Sequence, residues 1–169
     1  MTAIAGVWQW NGNPIARDRV ERIQRAQVFY GPDHAAQWNG GAVALARHLL
    51  RLLPEDRFDR QPLTGGGGRF VLVADVRLDN REELAEGLGL AGDEAAVLCD
   101  AAFVLRAWER WGADAVHRLA GDYAFAVWDD RDRRLFLARD HLGRRPLHFH
   151  AGDGWFAFAS LPKGQLALP

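Results

Sequence analysis

Tyr123-Ala124-Phe125-Ala126-Val127-Trp128, the charged run Asp129 to Arg134, and Leu135-Phe136-Leu137-Ala138 together read as a β-hairpin. Two apolar, aromatic-rich runs flank a polar turn, the pattern of paired strands with little exposed surface. On the C-terminal side, His148 to His150 and Trp155 to Ala159 supply two more short strands around Gly152-Asp153-Gly154. Leu161 to Leu168 follows as the start of a helix.

Upstream, Asp93 precedes a long helix that is expected to reach Trp111. Ala96, Cys99, Phe103, Leu105 and Trp108 are its candidate core contacts, and Gly112 ends it. Asn80 is positioned to cap a short helix through Leu88, with Glu83 as the capping-box partner. Phe70 to Val76, Asp75 apart, is a continuous apolar run, the pattern of a strand buried on both faces. Thr64 to Gly68 reads as a flexible glycine-rich turn, and Leu49 to Gln61 is irregular. A strand pair around Asn39-Gly40-Gly41 joins Trp38 to Ala42–Ala46. Ala16 to Phe29 has helical spacing, with Gly31-Pro32-Asp33 as its stop. Ile4 to Trp10 reads as a first strand, and Asn11-Gly12-Asn13-Pro14 as the turn after it. Helices between two groups of strands, several buried on both faces, point to sheets sandwiched by helices.

The chain has 169 residues, 49% of them hydrophobic and 25% charged, enough for one domain with a real core. A net charge of -1 provides no general attraction to nucleic acid or to an anionic membrane, so neither is an expected partner. The single cysteine, Cys99, leaves no internal disulfide and no cysteine-rich metal site. No basic leader or long apolar run appears, which makes the cytoplasm the expected location. Gly65-Gly66-Gly67-Gly68 lacks the lysine and hydroxyl of a phosphate loop. His148 and His150 have no third ligand at a convincing spacing, so no metal site is expected.

Several of these stretches resemble the class II glutamine amidotransferase domain of asparagine synthetases. Leu119 to Asp129 followed by Arg134 to Leu147 is similar to the family pattern L-x-G-x-F-A-F-A-x-W-D … L-F-L-A-R-D-x-x-G-x-x-P-L. Gln61-Pro62-Leu63, Asp79 to Leu84, Cys99-Asp100 through Trp111-Gly112, and Phe158 to Gly164 also fit. The resemblance implies an α+β, N-terminal-nucleophile (Ntn) hydrolase-like fold: a four-layer αββα sandwich with two antiparallel sheets. It covers residues 1–169 as a single domain, and an ATP-dependent synthetase domain is expected after residue 169.

The family's chemistry uses an N-terminal cysteine whose own α-amine is the base, with donors for the oxyanion. The family begins Met-Cys-Gly-Ile; this chain begins Met1-Thr2-Ala3-Ile4. The family's Asn-Gly-Glu-Ile-Tyr-Asn segment aligns with Asp75-Val76-Arg77-Leu78-Asp79-Asn80. On that alignment Asp75 replaces the oxyanion asparagine, Val76 crowds a glycine position, and Arg77 reverses the charge of a substrate-holding glutamate. His48 stands where an arginine binds the substrate carboxylate, with Arg47 and Arg51 as nearby substitutes. Asp100 matches the aspartate that binds the substrate amine. The resemblance therefore implies a degenerate glutamine pocket at Thr2, His48, Asp75, Val76, Arg77 and Asp100.

Relatives without the cysteine are similar to β-lactam synthetases and lasso-peptide macrocyclases. Pro54 to Pro62 and Val73 to Asn80 look more like bacterial lasso-type cyclases than housekeeping asparagine synthetases. The expected partners are a synthetase domain of the same protein and a precursor peptide. ATP and Mg belong to that synthetase domain, with no cofactor here. Two alternatives stand beside this: a glutaminase with Thr2 as nucleophile that supplies ammonia, and a stand-alone interaction module.

Overall fold

The computed structural model describes residues 1–10 and 17–168, with side chains of the first helix described from residue 19. The expected turn at Asn11-Gly12-Asn13-Pro14, the helix start at Ala16 and the terminal Pro169 lie outside the described residues. The chain divides into two compact units, Met1–Leu50 with Pro146–Pro169, and Arg51–Arg145.

The first unit is built on a five-stranded antiparallel sheet. Its strands are β1 (Ala3–Gln9), β2 (His34–Asn39), β3 (Val43–Leu49), β8 (His148–Gly152) and β9 (Trp155–Ala159), in the order β2-β3-β1-β9-β8. Alanine dominates one face: Ala5, Ala44, Ala46, Ala157 and Ala159 cluster with Val7 and with Val20 and Ile23 of α1 (Arg17–Gln27). Such small side chains let a helix lie close to the sheet. At Gly6 the other face is equally tight, because a Cβ there would sit 2.3 Å from the Phe158 ring and 2.7 Å from Leu45. The start of β1 is tied by buried polar groups. Ile4 N–H donates to Ser160 Oγ at 2.9 Å, and Ser160 N–H donates to Ile4 O at 2.9 Å. Gln27 joins α1 to the same corner, accepting from Leu161 N–H at 3.2 Å ahead of α5 (Pro162–Leu166).

The second unit holds a four-stranded antiparallel sheet, order β4-β5-β6-β7. The strands are β4 (Leu63–Gly65), β5 (Phe70–Leu78), β6 (Gly121–Asp129) and β7 (Arg134–Arg139), so the hairpin read from the sequence is β6–β7. Residues of β5 and β6 alternate between faces. Leu72, Ala74, Leu78, Tyr123, Phe125 and Val127 pack with Phe103 and Val104 of α4 (Asp100–Trp111). The core also takes Leu84 of α2 (Arg81–Leu88).

Two local expectations are corrected here. The helix expected from Asp93 to Trp111 is broken into α3 (Gly92–Ala96) and α4, with extended backbone at Cys99. Ala96, expected in the core, is exposed. Cys99, Phe103 and Leu105 are buried and Trp108 half-buried, its ring against Phe70 and Phe136. Asn80 flanks α2 without the expected capping box. Its Nδ2 donates to Arg118 O at 2.9 Å and to Glu83 at 3.2 Å, while its Oδ1 accepts Ala120 N–H at 3.0 Å. Apart from its contact with Glu83, the side-chain amide serves the approach to β6 and caps no backbone N–H of its own helix.

Gln61 extends the short β4. Strand pairing on that edge of β5 stops at Leu72, so the backbone of Ala74 has no strand beside it. Gln61 supplies the missing ladder: its Oε1 accepts Ala74 N–H, and its Nε2 donates to Ala74 O at 3.1 Å and to Asp59 at 2.9 Å. Gln61→Ala is therefore expected to cost about 2 kcal/mol, because two backbone groups of a buried strand lose their partners. Urea unfolding of the variant checks this; an unchanged midpoint would exclude the bracing role.

Candidate functional site

The expected site residues fall into two sets, one in each unit. In the first unit, Thr2 immediately precedes β1, and Ala3 pairs with His48 of β3. Thr2 is buried, and its Oγ1 accepts Leu50 N–H at 3.1 Å while lying 3.5 Å from Leu50 O. The hydroxyl is thus engaged by the end of β3. His48 is also buried, with Nε2 3.0 Å from Gln24 O. Burial pushes its imidazole below the usual range, against the pull of the Gln24 carbonyl and with help from the Arg47 charge. A neutral ring committed to a helix carbonyl lacks the charge needed to hold a carboxylate. Of the two nearby arginines, Arg47 is fully buried in β3 and Arg51 is exposed.

In the second unit, Asp75 lies in the middle of β5, paired with Ala124 of β6. It is 4% exposed, and its Oδ1 is 3.4 Å from Nη1 of Arg145. Asp75 Oδ2 and Arg145 Nε are buried without hydrogen-bond partners among the described residues. Burial pushes the Asp75 carboxyl up to about 6, which the attraction of Arg145 only partly offsets. Arg145 is delivered by the turn that follows β7. There the Asp140 carboxylate accepts the N–H groups of Leu142 at 3.1 Å, Arg144 at 3.0 Å and Arg145 at 3.1 Å. Burial works against that charge, but the backbone donors prevail and hold Asp140 below the usual carboxylate range.

Val76 turns its side chain to the opposite face of β5, where it packs against the Leu72–Phe103 core. The crowding expected at this position is thus directed into the core and not onto the face that carries Asp75. Arg77 is exposed and pairs with Asp79 at 3.5 Å.

Asp100 is buried at the start of α4 and already occupied. Its Oδ2 accepts Leu78 N–H at 2.8 Å, and its Oδ1 accepts Nη1 of Arg81. Burial pushes its carboxyl above the usual range despite both contacts.

Sequence reasoning picked out the carboxylates and missed the arginines that hold them. Arg81 and Arg145 both lay within quoted motifs, yet nothing in their spacing pairs them with Asp100 and Asp75. A signal did exist: an acidic residue inside an apolar strand such as Phe70 to Val76 requires a compensating group. A cavity of about 850 Å³ in this unit, lined by Asn80, Glu83, Glu86, Trp111, Asp114 and Arg118 among others, contains none of the expected site residues. No helix among the described residues is long and apolar enough to cross a membrane.

Two antiparallel sheets with their helices, a central β1 that starts at the third residue, and the paired β5–β6 strands define an Ntn-hydrolase-like α+β fold. Solved structures agree. Glutamine phosphoribosylpyrophosphate amidotransferase from B. subtilis superposes with a TM-score of 0.70 at 17% identity, covering 94% of this chain and 41% of that one. A structure described as the allosteric regulatory enzyme of purine biosynthesis gives 0.74 at 17%, covering 98% and 43%.

The sequence pattern of the family described as glutamine amidotransferase domain matches residues 1–169, and the chain belongs to that family. Curated relatives include asparagine synthetase [glutamine-hydrolyzing] 3 of Bacillus subtilis, 32% identical over 155 residues that make up 90% of this chain and 25% of the relative. A putative asparagine synthetase [glutamine-hydrolyzing] of Mycobacterium tuberculosis is 33% identical over 168 residues, 92% of this chain and 26% of the relative. The chain thus spans about a quarter of the length of these relatives.

Proposed function

We propose that this glutamine amidotransferase domain has lost glutamine hydrolysis and serves as a scaffold in an asparagine-synthetase-like, ATP-dependent amide-forming enzyme of the lasso-peptide macrocyclase type. In this reading the domain packs on a synthetase domain, which binds ATP and Mg, and helps to hold a precursor peptide. The amine that attacks the activated carboxylate is already on the substrate, so no ammonia from glutamine is needed.

The observation that carries the reading is the buried Asp75 carboxylate, at the place where the family resemblance puts an oxyanion donor. Amide hydrolysis develops negative charge on the carbonyl oxygen, and a donor aimed at that charge lowers the barrier. An ionised carboxylate there raises it, and Arg145 is committed to Asp75 itself. The engaged Thr2 hydroxyl and the neutral His48 point the same way.

Glutamate release from L-glutamine, measured on the chain with Met1 removed, tests this. The expected result is a rate equal to the protein-free blank, unchanged in Thr2→Ala. Release by the wild type that disappears in Thr2→Ala would overturn the reading in favour of Thr2 as nucleophile.

A further inference from the structure

The Arg81 guanidinium sits in a receptor built almost entirely by other segments. Nη1 donates to Asp100 Oδ1 at the head of α4. Nη2 donates to Leu98 O at 2.9 Å, in the break between α3 and α4, and to Ala95 O at 3.3 Å, in the last turn of α3. The guanidinium carbon stands 4.7 Å from the centre of the Phe103 ring, and Glu55 lies 4.0 Å from Nη1. Apart from Arg81, helix α2 contributes nothing to this set. The Asp100 carboxylate is 4% exposed, whereas the Arg81 side chain keeps 24% of its surface in solvent.

We propose that the α3–α4 junction is a binding site for a guanidinium group, such as an arginine side chain, which Arg81 fills from within the chain. A planar fork suits it: separate N–H groups meet a carboxylate and two carbonyls while the flat face lies on an aromatic ring. A primary ammonium is a compact point charge and cannot match that spread. In the intact chain an external ligand competes with a tethered one at high effective concentration, so the site is closed. This deepens the reading of a retired glutamine pocket and rests on it for the place of Asp100, though not for the chemistry of the cage. Asp100 keeps a cation instead of standing as an empty remnant.

The test is methylguanidinium titrated into the full 169-residue chain at about pH 8, followed by the amide NMR signals of Leu78 and Phe103 and by thermal shift. Wild type is expected to give no saturable response. Arg81→Ala is expected to bind at least tenfold more tightly than wild type, to prefer methylguanidinium over methylammonium, and to lose binding in Arg81→Ala/Asp100→Asn. Binding no tighter than wild type, or unaffected by Asp100→Asn, overturns the proposal. If Arg81→Ala does not fold, recovery of the native spectrum by millimolar methylguanidinium but not by tetramethylammonium is the supporting result, and no recovery overturns it. Glutamate release plays no part in these readouts, so a working glutaminase would leave the result standing.

Discussion

Replacing Asp75 by asparagine is expected to stabilise the folded chain by about 3 kcal/mol at pH 8 and to leave its stability unchanged below about pH 3. The sign follows from burial. Folding moves the Asp75 carboxyl from 3.8 up to about 6, a value that already includes the attraction of Arg145. The folded state therefore holds a proton that the unfolded chain has released, and Asp75 favours folding at low pH. That contribution is lost as pH rises between 3.8 and about 6. Above this window the chain carries the full cost of an ionised carboxylate with one oxygen unpartnered. Asparagine keeps the shape and never ionises. Urea unfolding of both proteins across this pH range measures the difference. A destabilised variant at pH 8, or a gap that does not change with pH, would show that the Arg145 ion pair outweighs burial.

Restoring the thiol alone is expected to restore nothing: Thr2→Cys should release glutamate at less than about 1% of the rate of a competent glutamine-hydrolysing relative, since one missing oxyanion donor already costs about 10²–10³ in kcat. This prediction rests on the proposed loss of function and takes its force from the surroundings of Asp75, not from the nucleophile. By the family alignment the substitution still leaves an aspartate at the oxyanion position, a neutral His48 at the expected carboxylate anchor, and an Asp100 filled by Arg81. Turnover by Thr2→Cys within tenfold of such a relative would falsify the idea of a dismantled pocket.

Strands and turns were the legible part of this chain. β6–β7 is announced by two apolar runs around a charged turn, and β5 by an apolar run interrupted by Asp75; burial follows the pattern in β5 and β6, while β7 is only half-buried. The break between α3 and α4 was not legible. Apolar spacing continues through Val97 and Leu98, and the Leu98 carbonyl in the break is satisfied by Arg81, which precedes it by more than ten residues and also reaches Ala95 O. For Val76 the structure adds that its side chain packs on the core face of β5, opposite Asp75, as strand alternation requires.

Sequence by itself determined the glutamine amidotransferase family, the strand-rich frame, and the residues standing at Thr2, His48, Asp75 and Asp100. The tertiary structure alone decided what holds them: Leu50 N–H on Thr2, the Gln24 carbonyl beside His48, Arg145 beside Asp75, and Arg81 in Asp100. The physical reason is the range of the two kinds of interaction. Backbone pattern is local and repeats within a few residues, so it survives in the order of the letters. A buried charge takes its partner from whichever segment the fold brings near, and nothing in the spacing of Asp75 names Arg145.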